Sequence, residues 1–458
     1  MPVTAPHVRL RYGDKVLDSG SGGVFEHRNP YTGEIQATIP LAGAAEIDEA
    51  VELAAAQAES WRRWTPEARR DVLIRFAELL GEHRQEFVDL QALDGGTPTH
   101  FGERIVDNSI NWTRYYAGWC DKLSGELIST LDTRGYFSYT APEPYGVVGI
   151  IVTWNGPVVS LGMKVIPALA AGNCVVVKPS EFTPFAPHLY AQLLRKAGLP
   201  DGVCSILSGG AEAGEALVRH PKVEKVSFTG GPVAARRIMH ACAEQLKPAV
   251  LELGGKTGSI VFPDAGDLDA VASRAVRDSI GVLAGQGCVV PTRLIVHEDI
   301  YDEVVERVTE VAATYRMGDP FDPDIKVGPL INAAAVERVC GMLDRGRGGR
   351  PRQQHTVRPR RQHPVHGPHP RPPRRRATEG RRRLRQRRPA EPPAHPLRRP
   401  RPQRLRQGGR PGRHRRVPAL QDRVDHPAGA TAGGVAGSTP DPGERTLVAA
   451  SERRDRSR

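Results

Sequence analysis

Val147-Val148-Gly149-Ile150-Ile151-Val152-Thr153-Trp154-Asn155-Gly156-Pro157 opens the stretch that decides the fold. Val147–Val152 has the uninterrupted apolar character of a strand buried on both faces. Val158–Ala171 reads as a helix and Cys174–Val177 as the next strand. The alternation continues through Val203–Leu207, Ala211–Val218, Val226–Phe228, Val233–Ala243 and Val250–Leu253. Strands alternating with helices specify an α/β fold, a Rossmann-like parallel sheet covered by helices on both faces. Upstream, residues 29–40 read as a turn and a short strand, and residues 45–63 and 66–90 have helical spacing, with Pro66 suited to a first helical turn. Downstream, Ser259–Phe262, a helix over 267–283, Leu294–Val296 and a helix over 300–315 form a second α/β series. The expected organisation is an N-terminal segment with a first α/β domain over 1–253, a second α/β domain over 254–344 and a basic tail over 345–458.

The 458 residues carry a net charge of +12, but that figure hides a split. After Asp344 there are 32 Arg, no Lys and 8 acidic residues, a charge of +24; the preceding residues hold 32 basic and 44 acidic side chains, a charge of −12. The basic character therefore says nothing about partners of the body. The tail lacks Phe, Trp, Tyr, Ile, Met, Cys, Asn and Lys altogether. Such a composition cannot bury enough apolar surface to offset ordering entropy, so disorder is expected. Phe, Tyr, Ile, Met, Asn and Lys are residues of A- and T-rich codons, and their joint loss is the mark of an out-of-frame reading of GC-rich DNA. The change also falls within a helix-like stretch, Val336–Asp344. The alternative is an evolved basic arm that binds nucleic acid. The six cysteines show no metal-ligand spacing, the N-terminus has no signal-peptide pattern, and no run reaches the ~18 apolar residues of a membrane helix. A soluble, cytoplasmic protein is expected.

Cys288, in Gly285-Gln286-Gly287-Cys288, follows Glu252, in Leu251-Glu252-Leu253-Gly254-Gly255-Lys256, by 36 residues. A thiolate can attack an aldehyde, and a carboxylate can activate water against the thioester that results. A lone cysteine is more often a core residue, but glycines on either side of Gln286 favour a tight backbone approach. Asn155 suits a turn before Gly-Pro and also, on the loop between strand and helix, the stabilisation of a developing alkoxide. For Glu252 the plainer reading is an exposed carboxylate at a strand end. Together with Trp154-Asn155-Gly156-Pro157, Lys178-Pro179-Ser180-Glu181 and Ser227-Phe228-Thr229-Gly230-Gly231, these blocks resemble the NAD(P)-dependent aldehyde dehydrogenase superfamily. The resemblance runs from about Asn29 to about Asp344.

The resemblance implies oxidation of an aldehyde to a carboxylic acid, with Cys288 as nucleophile, Asn155 as oxyanion donor and Glu252 as general base. Glu252 favours hydrolysis over transfer to coenzyme A. Lys178 and Glu181 are implied to contact the adenosine ribose, where a carboxylate would repel a 2′-phosphate, so NAD is expected over NADP. Trp154, Gly210, Gly214, Gly230, Gly231 and Leu253 complete the implied cofactor contacts, although glycine-rich loops are common without any nucleotide. Gly231 stands where the family usually has Ser, and Ala235 where a glycine is common. The family's Glu-x-Phe-Gly-Pro block after the cysteine is absent from 289–458. The chain as written is therefore expected to be poorly soluble or inactive, and the family's homo-oligomerising strand is missing with the block. Trp119, Trp154 and Val289 are candidates to line the path of a small aldehyde, whose identity they do not reveal.

Overall fold

The computed structural model describes residues 3–128, 137–348 and 405–407. These residues sort into two compact units, one within 1–124 and 142–406 and the other within 125–141 and 407–458. The first unit opens with two hairpins, β1 (Leu10–Tyr12) with β2 (Lys15–Leu17) and β3 (Val24–Arg28) with β4 (Ile35–Pro40). Four helices follow: α1 (Ala44–Arg63), α2 (Pro66–Glu82), α3 (Arg84–Gly95) and α4 (Thr99–Ala117). The single helix expected over 66–90 is two, because His83 leaves helical geometry at φ −101° and ψ 19°. Its ring bonds Glu86 in the first turn of α3. In the second unit β5 (Leu127–Ile128) pairs antiparallel with β6 (Ser138–Pro142).

The expected α/β alternation is present. It runs β7 (Val147–Ile151), α5 (Pro157–Ala170), β8 (Cys174–Lys178), α6 (Phe185–Lys196), β9 (Cys204–Ile206), α7 (Ala211–Arg219), β10 (Val223–Gly230), α8 (Pro232–Glu244) and β11 (Ala249–Leu253). The five strands are parallel in the order β11-β10-β7-β8-β9. Every residue of β7 and β8 is buried, as continuous apolar strands between two helical layers should be. The chain builds outward from β7 to β9, then returns to the other side of β7 to lay down β10 and β11. The order reverses between β7 and β10, and a crevice at the carboxyl ends of the strands opens at such a point.

The second series comprises β12 (Thr257–Val261), α9 (Leu268–Asp278), β13 (Pro291–Val296), α10 (Tyr301–Ala313) and α11 (Ala333–Gly348), with β12 and β13 paired in parallel. The helix expected over 267–283 stops at Asp278, where the Ser279 hydroxyl donates back to the Ala275 carbonyl at 2.5 Å. Helix α11 continues past Asp344, so the compositional break falls inside a regular element. Of the tail, residues 345–348 continue α11 and Leu405–Gln407 forms a short strand, β14, where disorder was expected; for the rest the expectation lies outside the described residues.

Candidate active site

The loop after β7 carries Trp154 and Asn155 to the switch point and ends at Gly156, which caps α5. Thr153 Oγ1 donates to Asn155 Oδ1 at 2.5 Å. This fixes the amide's orientation, and its Nδ2 donates to the backbone oxygen of Gln286 at 2.6 Å. Asn155 is thereby held two residues from Cys288, although the two positions lie far apart in the chain. Cys288 itself is exposed, on the turn that leads into β13. Gly287 beside it has no room for a side chain: a Cβ would stand 2.5 Å from Val290 Cγ2.

The backbone before the cysteine is bent. Leu283, Ala284 and Gly285 all have positive φ, at 50°, 52° and 78°. For a leucine and an alanine this conformation costs of order 1 kcal/mol or more each, and it persists where neighbouring contacts enforce it. The Gln286 side chain supplies such contacts. Its Nε2 donates to Leu283 O at 3.0 Å and to Pro329 O at 3.4 Å, and its Oε1 accepts from Ile331 N at 3.1 Å. Gly95, Gly96, Thr97, Trp154, Asn155, Leu283, Gln286, Gly328 and Pro329 line a small cleft there.

Glu252 is the fourth residue of β11, in register with Thr229 of β10, and is exposed. Among the described residues no hydrogen bond joins it to Cys288. Its charge acts instead on Lys164 of α5. Burial lowers the Lys164 ammonium's pKa to about 8, the carboxylate works in the opposite direction, and Lys164 Nζ donates to Ser227 Oγ at 2.9 Å.

The residues read as cofactor contacts gather along the same strand ends. Lys178 closes β8; it is buried, donates to Gly209 O at 2.8 Å and stands 3.9 Å from Glu181. Burial lowers its pKa, offset in part by Glu181. A Cβ at Gly214 would lie 3.8 Å from Lys178 Cδ, and Gly210 caps α7. Gly230 ends β10 in register with Leu253, and a Cβ on Gly230 would lie 2.3 Å from the Phe228 ring. Gly231 caps α8, a 13-residue helix with no acidic residue in its first turn, and a Cβ there would meet nothing within 4 Å. An uncluttered helix N-terminus of this kind suits a phosphate group, so the residues present fit a dinucleotide. Among the described residues no three His, Cys, Asp or Glu are grouped to hold a metal.

Three residues of this site escape a sequence reading. Gln286 was visible only as a spacer between glycines, yet it makes most of the turn's polar contacts. Lys164 sits in an apolar helical run where a charge is out of place, and that misfit was the available signal. Gly209, not Gly210, is the position closed to a side chain: a Cβ would stand 2.7 Å from Ala213 Cβ and 2.9 Å from Ala42 O.

The model of the aldehyde dehydrogenase family matches residues 17–356, and the chain belongs to that family. It is 40% identical over 349 residues to aldehyde dehydrogenase 1 of Tanacetum cinerariifolium, covering 74% of this chain and 68% of that one. It is 37% identical over 350 residues to phenylacetaldehyde dehydrogenase of Pseudomonas fluorescens, covering 74% and 69%. The fold superimposes on a Bacillus cereus aldehyde dehydrogenase solved as its NAD+ complex, with a TM-score of 0.72, 35% identity, and coverage of 75% and 70%. Roughly three-tenths of each relative's length thus has no counterpart in the matched part of this chain.

Proposed function

We propose that Cys288, Asn155 and Glu252 carry out the oxidation of an aldehyde to a carboxylic acid with NAD. The observation that carries this reading is the Asn155–Gln286 bond, which holds a side-chain amide beside the cysteine's turn. The Cys288 thiolate adds to the aldehyde carbon, and the alkoxide that forms is met by the Asn155 amide and the backbone N–H of Cys288. In the resting turn Asn155 donates to the Gln286 carbonyl, so the alkoxide competes with that carbonyl for the amide. NAD, when bound, would supply the acceptor for the hydride that leaves the thiohemiacetal carbon. Glu252 takes a proton from water, the hydroxide adds to the thioester, and the acid leaves as the thiolate is restored. The exposure of Glu252 leaves it open to solvent water, in keeping with hydrolysis.

Gly230 and Gly231 with α8, together with Lys178, Glu181, Gly210, Gly214, Trp154 and Leu253, would hold the dinucleotide. Glu181 facing the ribose would favour NAD over NADP. A cytoplasmic location completes the proposal. No described helix is long and apolar enough to cross a membrane. The test is turnover. In any active version of the chain, Cys288→Ala should lose NADH production while still binding NAD, and Glu252→Gln should give a burst of NADH followed by a slow steady state. NADH production by the alanine variant at the parent rate would sink the nucleophile assignment, and an unchanged steady state would remove Glu252.

A further inference from the structure

The geometry points to Gln286 as a positioning residue that holds the Cys288 turn in a backbone conformation its own residues disfavour. The inference rests on Cys288 being the nucleophile. Leu283, Ala284 and Gly285 trace three consecutive left-handed residues immediately before Gln286. Leucine and alanine have no intrinsic reason to adopt this conformation, so an outside contact must enforce it. The Gln286 amide bonds backward to Leu283 O, at the start of the bend, and across to Pro329 O and Ile331 N on a separate segment. Its backbone oxygen receives the Asn155 amide. One residue therefore joins the bend, the 329–331 segment and the proposed oxyanion donor.

The 329–331 segment is itself anchored. Pro329 lies against Gly96, the left-handed cap of α3, where a Cβ would come 2.4 Å from Pro329 Cγ. Gly328 is closed in the same way: a Cβ there would be 2.0 Å from Gly96 O. The bend's own support is two backbone bonds, Gly285 N to Val282 O and Gln286 N to Leu283 O, each 2.9 Å; with a rigid seat on the other side, the Gln286 side chain is the element that ties the bend to that seat and fixes where Cys288 stands relative to Asn155. An acid cannot replace it. Gln286→Glu keeps the acceptor for Ile331 N but loses both donors, setting a carboxylate against the carbonyls of Leu283 and Pro329.

The test uses the full chain and steady-state kinetics on variants whose folded state is verified by circular dichroism. Gln286→Ala should lower kcat about tenfold or more, since small displacements of reacting groups carry penalties of that size. The KM for NAD should stay within about twofold, because the cofactor contacts lie on other loops. Gln286→Glu should match the alanine variant. The discriminating measurement is Ala284→Gly/Gln286→Ala: glycine accepts the left-handed conformation without enforcement, so part of the lost kcat should return. Recovery of kcat in a pair of changes that removes more side chain than either alone is not expected of a residue that only adds stability. If Gln286→Ala keeps the parent kcat, or if glycine at 284 restores none of the loss, the inference fails. If the alanine variant does not fold, the comparison moves to Gln286→Glu with and without Ala284→Gly, and failure to fold in all of these makes Gln286 a keystone of the fold, which also overturns the proposal. Cys288→Ser keeps the two readings apart. Full activity in that variant rejects the nucleophile, whereas an inactive serine variant beside a normal Gln286→Ala rejects only the positioning role.

Discussion

Lys164 shows how one buried charge couples the sheet's packing to pH. Its side chain is enclosed on α5, with Ser227 as its hydrogen-bond partner and Glu252 as its nearest electrostatic support. The folded protein holds this ammonium at a pKa of about 8, below the 10.5 of a free lysine. Between those values the folded state binds fewer protons than the unfolded state, so stability rises with pH across that window and the full cost is present below pH 8. Lys164→Met should therefore unfold at higher urea at pH 7, with a gain of up to about 3 kcal/mol before the loss of the Ser227 bond is deducted. The difference between variant and parent should shrink as pH climbs from 8 toward 10.5. A gain that is the same at pH 7 and pH 10 would show that the ammonium is not held in its depressed state. The residue-scale signals in the sequence were uneven for a plain reason. Cys288, Asn155 and Glu252 stand in short glycine-bearing blocks, where chemistry and turn geometry leave a local mark. The roles of Lys164 and Gln286 are set by partners 63 and 45 residues away, and no local pattern encodes those partners.

At the scale of elements, helix α6 depends on a residue from another helix. Pro184 precedes it and offers no side-chain cap, so Asp94 at the end of α3 accepts from Phe185 N at 3.0 Å and Ala186 N at 2.9 Å. His27 stands 3.7 Å from the same carboxylate and bonds Phe182 O at 3.0 Å. Burial pushes the Asp94 carboxyl's pKa up and the His27 imidazole's down. The loop from Lys178 to Pro184 is thus suspended between β8 and a remote cap. Asp94→Ala should cost about 2–4 kcal/mol, from two orphaned helix N–H groups and the space left behind, and should raise the KM for NAD more than that for aldehyde. An unaltered NAD KM in a folded Asp94→Ala enzyme would separate this cap from the candidate cofactor loop. The helix escaped a sequence reading because Pro184 and Pro187 punctuate its first turn, and its cap lies in another element. The strands were legible because an apolar run buried on both faces needs no distant partner to announce itself. The elements around 279–285 were misjudged because apolar residues continue through a bend that only tertiary contacts impose.

For the whole molecule, the parts fall into a well-covered sheet and a poorly covered remainder. Strands β7 and β8 are sealed, whereas Ile260 in β12 and Phe262 just after it are 63% and 59% exposed, Val289 is 76% exposed, and Val250 and Leu253 of the edge strand β11 are each 40% exposed. A two-stranded sheet is a marginal unit by itself, and apolar surface gathered in this way promotes association. About three-tenths of each matched relative's own length lies outside the match. The full chain should therefore bind an apolar dye in the folded state and scatter light at micromolar concentration, and Ile260→Lys/Phe262→Ser should reduce both without lowering the unfolding free energy by more than about 1 kcal/mol. Equal scattering by the double variant would place the sticky surface elsewhere.

The bond from Asn155 to the Gln286 carbonyl closes a loop of 131 residues. Contacts of such long sequence separation come at a high entropic cost and form late, after local helices and neighbouring strands are in place. With Asn155 as the proposed oxyanion donor, catalytic competence comes late in the life of each newly made chain. During refolding, helical signal and sheet protection should return before NADH production does, and turnover serves as a clock for the final closure of the molecule.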